Sequence, residues 1–218
     1  MKYVSVALLS SKVGEVAKID RELFKKILRI DRRKAMLGLS LQTSIIDQEW
    51  VEFIGSWNGL QRLDINEKIR HTVFDLFARL VDRKQLVECS IGRHYSSRKV
   101  VSKVLELLSQ DQFCYLIVRD HQIMSHILEF WLTSSYNAGP KQVYLMDFLP
   151  VMERPAYIQF LKENSMACSL KEEPLMVKQL FGWSDADFES CIYKMRGKTS
   201  TVYFSFGLSK ESVTFYNV

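Results

Sequence analysis

The sequence lacks the motifs that would assign it to a common catalytic class. It has no P-loop, no G-x-G-x-x-G and no G-x-S-x-G segment, which excludes the usual nucleotide-binding loops and the nucleophile elbow of α/β-hydrolases. Its 4 histidines include no H-E-x-x-H pair, and His121 and His126 do not have the i,i+4 spacing of metal ligands on one helix face. Function therefore has to be inferred from the fold and its polar residues.

Cysteine and proline are also scarce, with 4 of each in 218 residues. The cysteines show no C-x-x-C spacing, which argues against zinc ribbons and disulfide frameworks and favours a reducing compartment. No apolar run has the length of a membrane helix, and serine interrupts the first nine residues, so no signal segment is predicted. No internal repeat is evident. These absences predict a cytoplasmic protein without membrane contact.

The bulk composition indicates a folded, mildly basic protein. Hydrophobic residues make up 47% and charged residues 25% of the chain, which is ordinary for a globular domain and excludes general disorder. The net charge of +5 permits binding to a polyanion such as nucleic acid without requiring it.

The stretch 86–150 predicts the centre of the fold. Apolar runs at 86–91, 113–118 and 142–148 have the length and composition of buried strands. Helical spacing between them predicts two crossover helices, the first capped by Ser96 or Ser97 and the second by Asp120. Parallel strands need such crossovers, so the stretch predicts a βαβαβ unit.

The amino-terminal part is predicted to be mainly helical after an early strand. Alternation at Val4, Val6 and Leu8 indicates that strand, and a helix over 16–30 is expected to follow, closed by Gly38. Ser44 is predicted to cap a helix over 45–54. Asp64 or Asn66 is predicted to begin a longer helix with Ile65, Ile69, Val73, Leu76 and Leu80 on one stripe.

The carboxyl-terminal part is predicted to contain short helices and a final hairpin. Ser184 has the spacing of a helix-capping residue, with Phe188, Ile192 and Met195 expected on the inner face of that helix. Segments 199–206 and 212–217 change to strand composition around a glycine-containing turn.

These predictions combine into an α/β fold with a small, mostly parallel open sheet, flanking helices, a helical amino-terminal part and a carboxyl-terminal β-hairpin. The segments are 1–85, packed on the core; 86–150, the βαβαβ unit; and 151–218, the terminal helices and hairpin. We expect all three to form one compact domain.

A polar site is predicted at the carboxyl ends of the central strands, where open α/β sheets bind ligands at a reversal of strand order. An anion or phosphate would be held by Arg93, Ser96, Ser97 and Arg98, next to a helix amino terminus. Catalytic candidates are Asp120, Asp147, His94 and His121, with the aspartates able to hold a divalent metal if the protein is an enzyme. The alternative is that Asp120 is a helix cap and that the arginines are solvated.

A basic segment provides the candidate contacts to nucleic acid. It is formed by Lys25, Lys26, Arg29, Arg32, Arg33 and Lys34. A solvated helix face near a carboxyl terminus explains the same residues, because cations are favoured there.

Three functional hypotheses follow. The first is a non-catalytic accessory subunit of an intracellular multiprotein assembly, which binds other protein subunits and acts on or with nucleic acid. The second is a metal-dependent phosphodiesterase or nuclease-like enzyme with its site at the strand ends. The third is a winged-helix-like DNA-binding module over 65–91, whose contacts would be Arg70, Arg79, Arg83 and Lys84.

Overall fold

The computed structural model divides the chain into two compact units, 1–116 and 117–218. The structure describes residues 2–9, 22, 35–42, 46–92, 97–133, 140–146, 159, 161, 163, 165–168, 192–196, 201–206 and 213–217. The predicted helix over 16–30, apart from the helical Glu22, and the predicted helix beginning at Ser184 lie outside these residues up to position 191.

The first unit is built from parallel strands that alternate with helices. Its strands are β1 (Lys2–Leu9), β2 (Ala35–Gln42), β3 (Leu60–Ile65) and β4 (Glu88–Ile91), hydrogen-bonded in that order. Its helices are α1 (Gln48–Gly55), α2 (His71–Asp82) and α3 (Arg98–Leu108). The three strand pairs are parallel. Strand β5 (Tyr115–Val118) runs across the boundary between the units.

Strand order in the first unit follows chain order without reversal. Right-handed crossovers between such strands place successive helices on the same face of the sheet. Accordingly, α1 contacts α2 and α2 contacts α3. The expectation of a ligand crevice at a reversal of strand order therefore lacks its structural basis in this unit.

A repeated pattern of buried residues holds the strands to the helices. Leu60, Leu63 and Ile65 in β3 are fully buried, and Leu86, Cys89 and Ile91 repeat the same spacing about 26 residues later. The register aligns Leu63 with Cys89 and Ile65 with Ile91. The same spacing recurs in the sequence at Phe113, Leu116 and Val118, which are also fully buried. The structure thus contains a repeated β–α unit, and the prediction that no internal repeat exists is wrong.

Strands β2 and β3 were not predicted, and the bounds of two helices differ from expectation. The side chain of Asp47, rather than Ser44, caps α1 by accepting a hydrogen bond from the Trp50 amide at 2.8 Å. Helix α2 begins at His71 after Arg70, so neither Asp64 nor Asn66 starts it. A helix start was predicted within β3 because of a register shift between β2 and β3. This shift places the buried Leu60 and Leu63 three residues apart. This spacing imitates a helix in a sequence.

The second unit contains a helix and an antiparallel set of strands. Helix α4 spans His121–Thr133, and β6 spans Lys141–Leu145. The remaining strands are β7 (Met166–Cys168), β8 (Ile192–Arg196), β9 (Thr201–Phe206) and β10 (Val213–Asn217). They are ordered β6-β10-β9-β8-β7, and each of these pairs is antiparallel.

Aromatic rings stabilise this antiparallel set across its strands. Tyr193 stacks on Phe204 with ring centroids 5.3 Å apart, and Phe204 lies 5.5 Å from Phe215.

Ile192 and Met195 belong to strand β8, and the prediction that they face inward from a helix is wrong. Their three-residue spacing suggested a helix, whereas burial of Tyr193 and Met195 follows the strand period.

The α/β class, the parallel strands with flanking helices and the carboxyl-terminal hairpin are confirmed. Residues 65–91 do not have winged-helix architecture, because β3 and β4 form a parallel pair with α2 between them, whereas a wing is an antiparallel hairpin. Among the described residues, no helix combines the length and apolarity needed to span a membrane.

Candidate functional site

Two described residues of the predicted strand-end site, Ser97 and Asp120, stabilise the starts of helices. Ser97 is the N-cap of α3, and its hydroxyl accepts a hydrogen bond from the Val100 amide at 3.4 Å. The Asp120 carboxylate accepts one from the Gln122 amide at 2.9 Å, at the start of α4. Arg98 is exposed at the first position of α3, and His121 is the first residue of α4.

The other predicted site residues lie outside the described residues. These are Arg93, His94, Ser96 and Asp147 at the strand ends, and Lys25, Lys26, Arg29, Arg32, Arg33 and Lys34 in the basic segment. Their roles stay predictions. In the part of the chain that the structure describes, no three His, Cys, Asp or Glu side chains are grouped so that they could hold a metal ion.

The structure instead brings polar residues together on the strands of the first unit, on the face opposite its helices. We call this surface the outer face. Its positions alternate with the apolar core residues of β2, β3 and β4, and they are Gly38, Ser40, Gln42, Arg62, Asp64, Glu88 and Ser90, of which Gly38 and Ser90 are themselves buried. The parallel register aligns them in rows: Gly38, Arg62 and Glu88 form one, and Ser40, Asp64 and Ser90 form the next.

Arg62 links two carboxylates on this face. Its Nε donates to both oxygens of Asp64, at 3.3 and 3.1 Å, and its Nη1 donates to the Glu88 carboxylate at 3.4 Å. The side chains of Arg62, Asp64 and Glu88 are 36%, 17% and 18% exposed. Partial burial weakens solvent screening, so the charges of this cluster are felt more strongly than those of ordinary surface pairs.

Small side chains surround the cluster. Gly38 lies beside Arg62, where an added Cβ would be 3.5 Å from the Arg62 Cβ. Ser90 is only 7% exposed, and the Ser40 hydroxyl accepts a hydrogen bond from the Asn66 amide group at 3.3 Å. Around the charged centre, Gly38 and Ser90 are buried, Ser40 is half-buried and Gln42 is exposed.

The opposite side of the same strands is apolar and buried. Burial, with a smaller contribution from the Asp64 carboxylate, raises the pKa of the Cys89 thiol well above its usual range. Cys89 is therefore a protonated core residue and not a nucleophile.

Two arginines of the DNA-binding hypothesis have structural contacts. The Arg83 guanidinium donates to the Gly55 carbonyl at the end of α1 and to the Asn58 side-chain oxygen. Arg79 lies over Gly55, where an added Cβ would be 2.5 Å from the Arg79 Cδ. Both side chains help to join α1 and α2.

Sequence reasoning missed the Arg62–Asp64–Glu88 cluster because Asp64 was assigned to a helix start. The signal that could have revealed it is the recurring spacing of apolar residues, L-x-x-L-x-I from Leu60 and L-x-x-C-x-I from Leu86, which matches the register of β3 and β4. Once that register is known, Arg62 must lie beside Glu88.

No family model matches this chain, and neither the curated proteins nor the solved structures show a significant match.

Proposed function

We propose that this protein is a non-catalytic binding subunit of a multiprotein assembly and that the outer face is its docking surface for another protein. The observation that carries the proposal is the repeated β–α unit, which fills one side of the sheet with core residues and leaves a polar, partly exposed surface on the other.

In proteins built from repeated β–α units, one side of the sheet commonly forms the core and the other side binds partners. Stacked repeats bury a continuous core, and the surface that they align across neighbouring strands is used to bind partners. The buried spacing in β3 and β4 is similar to that of the strands in leucine-rich repeats. In this chain the aligned rows supply arginine, carboxylate and hydroxyl groups, which together suit the polar recognition of a protein.

The caps at Ser97 and Asp120 support the same proposal. Both side chains use an oxygen to stabilise the start of a helix, and this role explains their positions without catalysis. The phosphodiesterase hypothesis needs Asp120 as a metal ligand, so we place it second.

The proposal is tested by purifying the chain from its native host and measuring its mass by size-exclusion chromatography with light scattering. We expect a stable complex whose second component is a protein. Ser40→Trp, which places a bulky side chain on the outer face, should release that component, whereas Glu52→Trp on the exposed side of α1 should retain it.

If Ser40→Trp does not fold, Gln42→Trp at an exposed position provides the second blocking variant. A clean monomer from the native host, or a complex that survives both blocking variants, contradicts the proposal.

A further inference from the structure

We draw no further inference here: the strongest candidate, the exposed cationic patch of Lys68, Arg70, Arg98 and Lys99 at the starts of α2 and α3, rests on two helix amino termini and surface charges alone, and no second observation among the described residues points to a ligand there.

Discussion

Gly92→Ala tests the stacking of the repeated units at their closest backbone approach. The Gly92 amide donates to the Ile65 carbonyl at 2.8 Å, which extends the pairing of β3 and β4 beyond the last strand residue. A Cβ at Gly92 would lie 3.0 Å from the Asn66 carbonyl oxygen and 3.1 Å from that of Ile65. Both neighbours are backbone atoms, so relief requires the strand to move.

We expect Gly92→Ala to lower the free energy of unfolding by about 1–3 kcal/mol, which is the usual effect of overpacking a tight site. Gly38→Ala is the matched control, because its Cβ would meet only the Arg62 side chain, at 3.5 Å or more. Alanine is favoured over glycine within a strand, so this control should be as stable as the parent or up to about 1 kcal/mol more stable.

The assay is urea unfolding followed by circular dichroism, with the m-value of each variant compared with that of the parent. A Gly92→Ala protein as stable as Gly38→Ala would show that β3 and β4 do not approach each other as the structure indicates. The repeated unit would then lose its main geometric support.

Three further outcomes are expected. Asp120→Ala should lower stability by about 1 kcal/mol in urea unfolding through loss of the α4 cap, while Asp120→Ser keeps a capping oxygen and most of the stability; loss of a metal-dependent activity in both variants would favour the enzyme hypothesis instead. Arg83→Glu should lower the melting temperature because the contacts to Gly55 and Asn58 are lost. A test of DNA binding should therefore use Arg70→Glu, because the Arg70 side chain makes no cap hydrogen bond at α2. Because Cys89 keeps its proton in the native state, the free energy of unfolding should fall as pH rises above about 8.5, where the unfolded thiol ionises; a pH series in which Cys89→Ala has the same slope as the parent would contradict this.

Much of the central region was predictable from the sequence. Strands β4 and β5 are short apolar runs, and the helices after them begin at residues with capping side chains, Ser97 and Asp120. Local chemistry fixes such elements, because a buried strand needs apolar residues and a helix start needs an acceptor for its free amides.

Strand β3 was missed because its residues satisfy two periods at once. Strand β2 has the strand period at Leu37, Leu39 and Leu41, and it was missed because Gly38 was assigned to the end of the preceding helix. Leu60 and Leu63 have helical spacing, and Ile65 continues it into Ile69 and Val73 in the next segment. The register shift that makes both Leu60 and Leu63 buried in a strand depends on pairing with β2, which is distant in sequence. Long-range pairing of this kind decides the structure where local patterns are ambiguous.

The outer face was missed for the same reason. Arg62 and Glu88 are far apart in the sequence, and only the parallel register brings them within hydrogen-bonding distance. The strand-end residues were predicted to form a site because they are consecutive polar residues after apolar runs. Ordinary helix caps have the same composition.

The most direct test of the docking surface is site-specific photocrosslinking in the native host. A small diazirine amino acid is placed at Gln42, which is exposed on the outer face, and in a second strain at Glu52, which is exposed on α1. We predict that Gln42 crosslinks to one protein, identified by mass spectrometry, and that Glu52 does not crosslink to it. Equal crosslinking from both positions, or crosslinking to that protein from Glu52 alone, would contradict the assignment of the outer face as the docking surface.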